Sequence, residues 1–255
     1  MDKVAFSIFG IDIMWYAVII SAGMLIGIIL SFKECRRIGF NEDNLIDFLL
    51  VVIPVGMICA RLYYVAFSWD YYSQNLGEII NIRNGGLAIH GGLFGGIIAG
   101  LIFCKIRKIS FFRIIDIIAP PVILAQAIGR WGNFINQEAH GGPTDLPWGI
   151  MVEGVKVHPT FLYESLGNIL IFFFLVLYRK NKRKVEGEVF ALYLILYSVV
   201  RFFVEGLRTD SLMFLGLRTA QLVSIGMFLA GIILFYLLRK CKKEKLDDIN
   251  KSNLE

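Results

Sequence analysis

Charge is what this 255-residue chain has little of: Asp, Glu, Lys and Arg make up only 18% of it, against roughly 25% in an ordinary soluble domain. That is too little to cover a water-facing surface. Cysteine is scarce as well, and Cys35, Cys59, Cys104 and Cys241 form neither a C-x-x-C nor a His/Cys metal spacing. They read as reduced, structural residues, and no metal site is expected. No small-x-small cleavage site follows the first apolar run, and Met1–Ile13 carries Asp2 and Asp12, so a cleaved signal peptide is not expected. Residues Asp2–Gly10 read instead as a short amphipathic segment at the membrane interface. No internal repeat stands out, which weighs against an inverted-repeat transporter. Disorder is excluded by what is abundant: the chain is 56% hydrophobic, with 21 Phe and 10 Tyr. Apolar runs of transmembrane length recur throughout, which makes this an all-α polytopic membrane protein.

Seven transmembrane helices are expected, near Met14–Phe32, Ile46–Phe67, Leu87–Cys104, Phe112–Ile128, Thr160–Tyr178, Val189–Leu207 and Thr219–Leu238. Pro120 and Pro121 predict a kink or break in the fourth. The connections after spans one, three and five, with residues 239–245 just past span seven, hold seventeen Lys and Arg. The opposite side holds six: Lys3, Arg83, Arg130, Lys156, Arg208 and Arg218. By the positive-inside rule the N-terminus lies outside and the C-terminus in the cytoplasm. The net charge of +5 is therefore a topology signal. Its scatter over short connections argues against nucleic acid as a partner. One membrane domain is expected over residues 1–238, with small extracytoplasmic loop elements at 68–86 and 129–159. A charged cytoplasmic tail without fold follows at 239–255.

Charged residues inside a span each cost roughly 2.5–3.5 kcal/mol on insertion scales and so raise a functional question. Here they are Arg61, Glu164, Arg201 and Glu205, with His90 and Arg130 at span ends. The predicted topology puts all six at outer depth. Asp47, Arg113 and Asp116 fall at inner span ends and read as structural. Any one of the six could be a snorkelling or paired side chain, but snorkelling does not explain why the deeper ones favour one leaflet. Tyr197, Arg201, Glu205 and Arg208 recur at spacings of four, four and three, one polar stripe on span six. Guanidinium groups there suit a phosphate, which they hold bidentately. Phospholipid headgroups are the nearest abundant phosphate at that depth.

The run Leu87–Gly96 opens span three with two overlapping G-x-x-x-G rows, Gly91/Gly95 and Gly92/Gly96/Gly100, suited to close helix packing. His90 in the same run is the side chain best able to take a proton near neutral pH. Residues Gly129–Gly142 read GRWGNFINQEAHGG; the glycines predict a helix break, with Arg130, Asn133, Asn136, Gln137 and Glu138 crowding a polar turn. His158–Glu164 re-enters the membrane with Thr160 as a candidate N-cap.

At these residues the sequence resembles the bacterial prolipoprotein diacylglyceryl transferases. The resemblance rests on HGGL at His90–Leu93, GRWGNFINQE at Gly129–Glu138, HPTFLYE at His158–Glu164 and RFFVEGLR at Arg201–Arg208, in family order, with Trp15-Tyr16 at the start of span one. It covers essentially the full chain. It implies transfer of the diacylglyceryl group of phosphatidylglycerol to the lipobox cysteine thiol of a preprolipoprotein signal peptide. A thioether forms and glycerol-1-phosphate leaves, with no cofactor. It further implies a bacterial cytoplasmic membrane protein whose active site faces the outer leaflet. By analogy His90 is the candidate base, and Arg130 and Arg201 are the candidate catalytic partners of the phosphate, with Arg208 and Arg61 as weaker ones. Glu205 would hold Arg201, Asn133 and Glu138 would order the loop around the headgroup, and Tyr16 and Tyr197 would position the lipid. The alternatives weighed are an anionic-solute transporter, another phospholipid-headgroup transferase and a scaffold subunit without chemistry.

Overall fold

The computed structural model describes residues 3–82, 85–214 and 216–252. Asp2, Arg83 and residues 253–255, which entered the charge and tail readings, lie outside these, as does the side chain of Lys245. In chain order the elements begin with a hairpin of β1 (Val4–Ile8) and β2 (Ile11–Met14), followed by α1 (Trp15–Ile38), α2 (Glu42–Phe67) and the single turn α3 (Trp69–Tyr72). A 3₁₀ turn (Leu76–Ile80) leads to α4 (Ile89–Arg107) and α5 (Phe111–Asn136). The hairpin of β3 (Ile150–Val152) and β4 (Val155–Val157) precedes α6 (Thr160–Asn181) and α7 (Glu188–Leu207). The short pair β5 (Met213–Phe214) and β6 (Leu217–Arg218) runs into α8 (Thr219–Ser252). Among the described residues seven helices are long and apolar enough to cross a membrane: α1, α2, α4, α5, α6, α7 and α8. The chain packs as two compact units, Cys35–Ile114, and Met1–Glu34 with Ile115–Glu255.

In the unit Cys35–Ile114 the glycine rows of α4 decide the packing. The Gly91/Gly95 row faces α2 so closely that a Cβ on Gly95 would overlap Cβ of Cys59 and lie 2.5 Å from its Sγ. The second row has more room, since a Cβ on Gly96 would meet Val52 at an ordinary 3.6 Å. Asn41 caps α2 by accepting the Asp43 amide at 2.7 Å, and Lys108 closes α4 in the left-handed conformation, φ 56°. Asp47, near the start of α2, is paired with Arg107 of α4.

In the other unit α5 is the helix around which neighbours close, and two expectations are corrected here. Of the kink or break expected at Pro120 and Pro121, the break is absent: the helix is continuous through both. Each proline lacks the N–H that would bond the carbonyl four residues back, which orphans the carbonyls of Asp116 and Ile117. The buried Arg179 of α6 donates to both, at 3.4 and 3.1 Å, and is itself paired with Glu34 at 3.0 Å. Nor do the glycines of GRWGNFIN end the helix, which runs on to Asn136. They admit α1: a Cβ on Gly129 would lie 2.9 Å from Ile20, one on Gly132 2.7 Å from the Tyr16 ring, and one on Gly23 3.3 Å from the Ala125 carbonyl. Close approach is their function, as for small residues between lipid-embedded helices. Asp116 accepts the Gly187 and Phe190 amides at 2.8 and 2.9 Å and so caps α7.

Three smaller expectations also change. The N-terminal segment, expected as a short amphipathic stretch, takes the form of a β-hairpin; Phe9 and Gly10 turn it with φ of 50° and 76°, the pair of positive values that a tight two-residue hairpin needs. Phe6, Ile8 and Phe9 are exposed on it. The tail is helical as far as Ser252, because Lys and Glu are good helix formers and Lys240 meets Glu244 one turn on. Thr160 is not the cap of α6, since Pro159 holds that position; its hydroxyl donates to the Ala139 carbonyl instead.

The packing difference between the two glycine rows is directly testable. Gly95→Ala should lower stability by about 1–3 kcal/mol through overpacking, whereas Gly96→Ala should leave it within about 0.5 kcal/mol, as a position with room does. Unfolding of both variants in the same detergent checks this.

Candidate active site

The C-terminal end of α5, the first turn of α6 and the last turns of α7 meet around one buried carboxylate. Glu164 of α6, its side chain 2% exposed, takes the Arg130 guanidinium of α5 on Oε1 at 2.5 Å and the Arg201 guanidinium of α7 on Oε2 at 3.2 Å. Arg201 also pairs with Glu205 one turn along α7 at 2.6 Å. Glu205 stands 3.9 Å from Arg208, and Arg208 forks onto both oxygens of Asp210 at 2.9 and 2.7 Å. The result is an alternating chain of three guanidinium and three carboxylate groups contributed by three helices and the loop after α7. Its carboxylates Glu164 and Glu205 are sealed, with 2% and 4% of their side chains exposed, while Arg130, Arg201 and Arg208 keep 21%, 17% and 15%. An anion arriving there meets these cationic faces before the two sealed acids, while Asp210, with 49% of its side chain exposed, stands at the Arg208 end.

Backbone geometry places these groups. The α7 stripe holds for Tyr197, Arg201 and Glu205, which lie on successive turns of one face, while Arg208 is the extended residue that ends the helix; the Tyr197 hydroxyl faces Arg130, Arg201 and Glu164. Tyr197 is held by stacking on Tyr193, ring centroids 5.8 Å apart and nearly parallel. Beyond α5 the chain turns through Gln137 and Ala139, both non-glycine residues with positive φ, 55° and 57°, and such strain concentrates at functional sites. Asn133 links the helix to this turn: its amide donates to Glu138 at 2.8 Å and its carbonyl oxygen takes Arg130 at 3.4 Å. Gly141 and Gly142 then bridge α6 to α7. The Gly141 amide donates to the His158 carbonyl and the Gly142 amide to the Leu207 carbonyl, both at 3.0 Å. A side chain at Gly141 would lie 2.6 Å from His158. Arg130, Asn133, Ala139, Thr160, Phe161, Glu164, Val204 and Arg208 line the narrow cleft that results. Tyr16 lies against Gly132, one residue from Asn133.

Thus Arg130, Arg201, Asn133, Glu138, Tyr197, Glu205 and Arg208 are gathered in one unit, with Tyr16 on the helix face beside them. His90 and Arg61 belong to the other unit. His90 is exposed in the first turn of α4, its ring 6.4 Å from that of Tyr63. Arg61 has a different role from the phosphate binding expected of it. Its side chain is buried, and all five of its N–H groups go to backbone carbonyls of residues 78–86. No donor is left for a phosphate.

Sequence reasoning gave Glu164 no role although it joins the two central arginines. It also passed over Asp210, whose position two residues past Arg208 was the available signal. Arg218 was counted only as a loop charge, yet it donates to the Glu205 carbonyl at the end of α7. The hydrogen bond from Arg208 holds the Asp210 carboxyl below the usual carboxylate range, and Asp210 in turn raises Arg208. A carboxylate whose pKa is lowered on folding contributes stability above its unfolded value near 4 and loses it as pH falls through the folded value. This pair therefore stays closed and constant between about pH 5 and pH 8.

A family model described as prolipoprotein diacylglyceryl transferase matches residues 3–237. The chain is similar to proteins named phosphatidylglycerol–prolipoprotein diacylglyceryl transferase in several bacteria. It is 56% identical to that of Clostridioides difficile over 97% of this chain and all of that protein. The protein of Finegoldia magna is 54% identical over 92% of this chain and 94% of its own length. That of Bacillus mycoides is 49% identical over 94% and 93%.

Glu164 carries the first prediction from this site. Removing one partner of a buried ion pair costs roughly 3–5 kcal/mol, and here it leaves two guanidinium groups facing each other. Glu164→Leu should lower the unfolding temperature markedly. Asp210→Asn, at a half-exposed position, should change it little at pH 7 and should remove the pair's share of the acid-side loss. Thermal unfolding from pH 3 to pH 8 reads both.

Proposed function

The chain belongs to the prolipoprotein diacylglyceryl transferase family, and we propose that the α5–α6–α7 cluster is where it holds the phosphate of phosphatidylglycerol while the diacylglyceryl group passes to a prolipoprotein cysteine. The reaction forms a carbon–sulfur bond and breaks a carbon–oxygen bond. The cysteine thiol, with an ordinary pKa of about 8.5, must lose its proton before it attacks. His90 is the base that takes it. The thiolate attacks the glycerol carbon bearing the phosphate ester, and the electron pair of the broken C–O bond stays on the phosphate oxygen. A thioether remains on the peptide and glycerol-1-phosphate leaves.

The phosphate begins as a singly charged diester and ends as a monoester with one charge more. Groups that hold the added charge stabilise the transition state over the bound substrate, and only such a difference accelerates the step. Arg130 and Arg201 are placed for this, with Arg208 as a third. The observation that carries the reading is the sharing of Glu164: it fixes two guanidinium groups from different helices side by side, and of these Arg130 lines the cleft together with Glu164 and Arg208. Glu205 holds Arg201, Asn133 and Glu138 order the turn, and Tyr16 and Tyr197 guide the lipid. Phosphatidylglycerol and a preprolipoprotein signal peptide with its lipobox cysteine are the substrates; no cofactor enters the balance. The names of the relatives favour transfer chemistry over anionic-solute transport. The charge bias of the connections supports a C-terminus in the cytoplasm of a bacterial cell and a site facing the outer leaflet.

The test is a purified-protein assay with phosphatidylglycerol vesicles and a lipobox peptide, following thioether and released glycerol phosphate together. Arg130→Ala and Arg201→Ala should each lower kcat about 10²–10³-fold, the loss seen when one donor to a developing charge is removed. Normal turnover in either variant overturns the phosphate assignment. His90→Gln should be nearly inactive at pH 7 and recover part of the deficit near pH 9, where solvent supplies thiolate. A constant deficit across that range overturns its role as base.

A further inference from the structure

We propose that Arg61 is a positioning residue for His90: it gathers the loop before α4 into one conformation and so fixes the first turn from which the imidazole is presented. The proposal deepens the proposed function and rests on its reading of His90 as the base.

The start of α4 needs outside support. Its N-cap, Ala88, offers no side-chain hydrogen bond, and His90 is followed directly by Gly91 and Gly92, poor helix formers that lose about 1 kcal/mol each relative to Ala. A turn so composed frays unless its neighbours hold it. Three residues of α2 do so. The Ala60 carbonyl accepts the Ala88 amide at 3.1 Å. Cys59 and Tyr63 press on Gly91, where a Cβ would lie 2.5 Å from the Cys59 carbonyl, and the Tyr63 ring stands beside His90.

Arg61 holds the loop itself. Nε donates to the Ile79 carbonyl at 2.8 Å, Nη1 to Gly85 and Gly86 at 2.8 and 2.9 Å, and Nη2 to Glu78 and Asn81 at 2.6 and 2.8 Å. Tyr72 covers the guanidinium, 5.1 Å from the ring centroid. Five carbonyls turned inward on one cation hold residues 78–81 and 85–86, the last of them four residues before His90. Gly86 shows how close the fit is: it has φ of 79°, and a Cβ there would overlap Nη1. A planar five-donor fork satisfies this cage, and a lysine ammonium with three donors does not.

Arg61→Lys keeps the charge and loses the fork. In the vesicle assay it should lower kcat about tenfold or more and leave KM for phosphatidylglycerol within about twofold. The sequence has three histidines, His90, His140 and His158, so imidazole NMR of the ring-labelled full chain resolves the effect. The His90 signal should move or broaden, with those of His140 and His158 unchanged. A rise in KM at constant kcat would make Arg61 a substrate binder and overturn the proposal. So would wild-type kcat, or a loss of kcat with the His90 signal unmoved. Should Arg61→Lys fail to fold, Gly86→Ala displaces the same guanidinium with the arginine retained, and the same signal is read. Full activity in His90→Gln would remove the base reading alone, because the NMR comparison still reports whether Arg61 sets the imidazole.

Discussion

One carboxylate organises the candidate site. Glu164 is buried at the start of α6, and each of its oxygens holds a guanidinium from a different helix. A lone carboxylate there would be strongly disfavoured by desolvation, and so would two adjacent arginines without it. The three groups are tolerated only as a set, and the set fixes where the ends of α5, α6 and α7 lie relative to one another. The turn through Gln137 and Ala139, the bridge through Gly141 and Gly142 and the stripe on α7 all converge on it. The Arg130 and Arg201 side chains thereby have one geometry instead of many rotamers, which is what preorganised electrostatic stabilisation requires.

Much of this architecture is legible in the sequence, for reasons that differ by element. The seven apolar runs are forced by the lipid, which admits no other reading of twenty uncharged residues, so the helices start close to expectation, although α1, α5 and α8 run on to Ile38, Asn136 and Ser252. The α7 stripe is legible because a helix converts spacing into a face. Glycine and proline in α5 mislead because their meaning depends on a neighbour. Gly129 and Gly132 look like breakers until Ile20 and Tyr16 are seen lying on them. The prolines look like a break until Arg179 is seen filling both orphaned carbonyls. Glu164 lies 34 and 37 residues from its partners, a pairing that no local pattern encodes. The hairpins are different. Phe9-Gly10 and Glu153-Gly154 are turn pairs with positive φ at both residues, a signal that was present but overshadowed by the stronger membrane pattern around it.

The arginines show why residue type and depth are insufficient to assign a role. Arg61 and Arg201 both lie within apolar helices, and the sequence offers both as phosphate ligands, Arg61 as the weaker one. Arg61 meets only carbonyls, whose partial charges use all its donors and leave it inaccessible. Arg201 meets carboxylates on one side and keeps part of its surface free. The difference comes from what faces each helix end: an irregular loop rich in inward carbonyls for α2, and a second acidic helix turn for α7. A guanidinium that meets a loop becomes structural, and one that meets acids can remain available.

The alternation of Arg130, Glu164, Arg201, Glu205, Arg208 and Asp210 is formally neutral, which at first sight is a poor way to bind an anion. In the proposed mechanism it is an advantage. Unpaired arginines at this depth would bind the diester and the more highly charged product tightly alike, and uniform binding of that kind lowers KM without raising kcat. Carboxylates behind the guanidinium groups weaken the attraction for a single charge, while the exposed cationic faces still gain as a second charge develops. The same arrangement limits affinity for glycerol phosphate once it has formed, so the leaving group is not trapped by the residues that helped to make it. Sealing Glu164 and Glu205 from solvent while leaving Arg130 and Arg201 partly exposed orders the charges around Glu164 in the direction this chemistry needs, with these two acids behind and their donors in front.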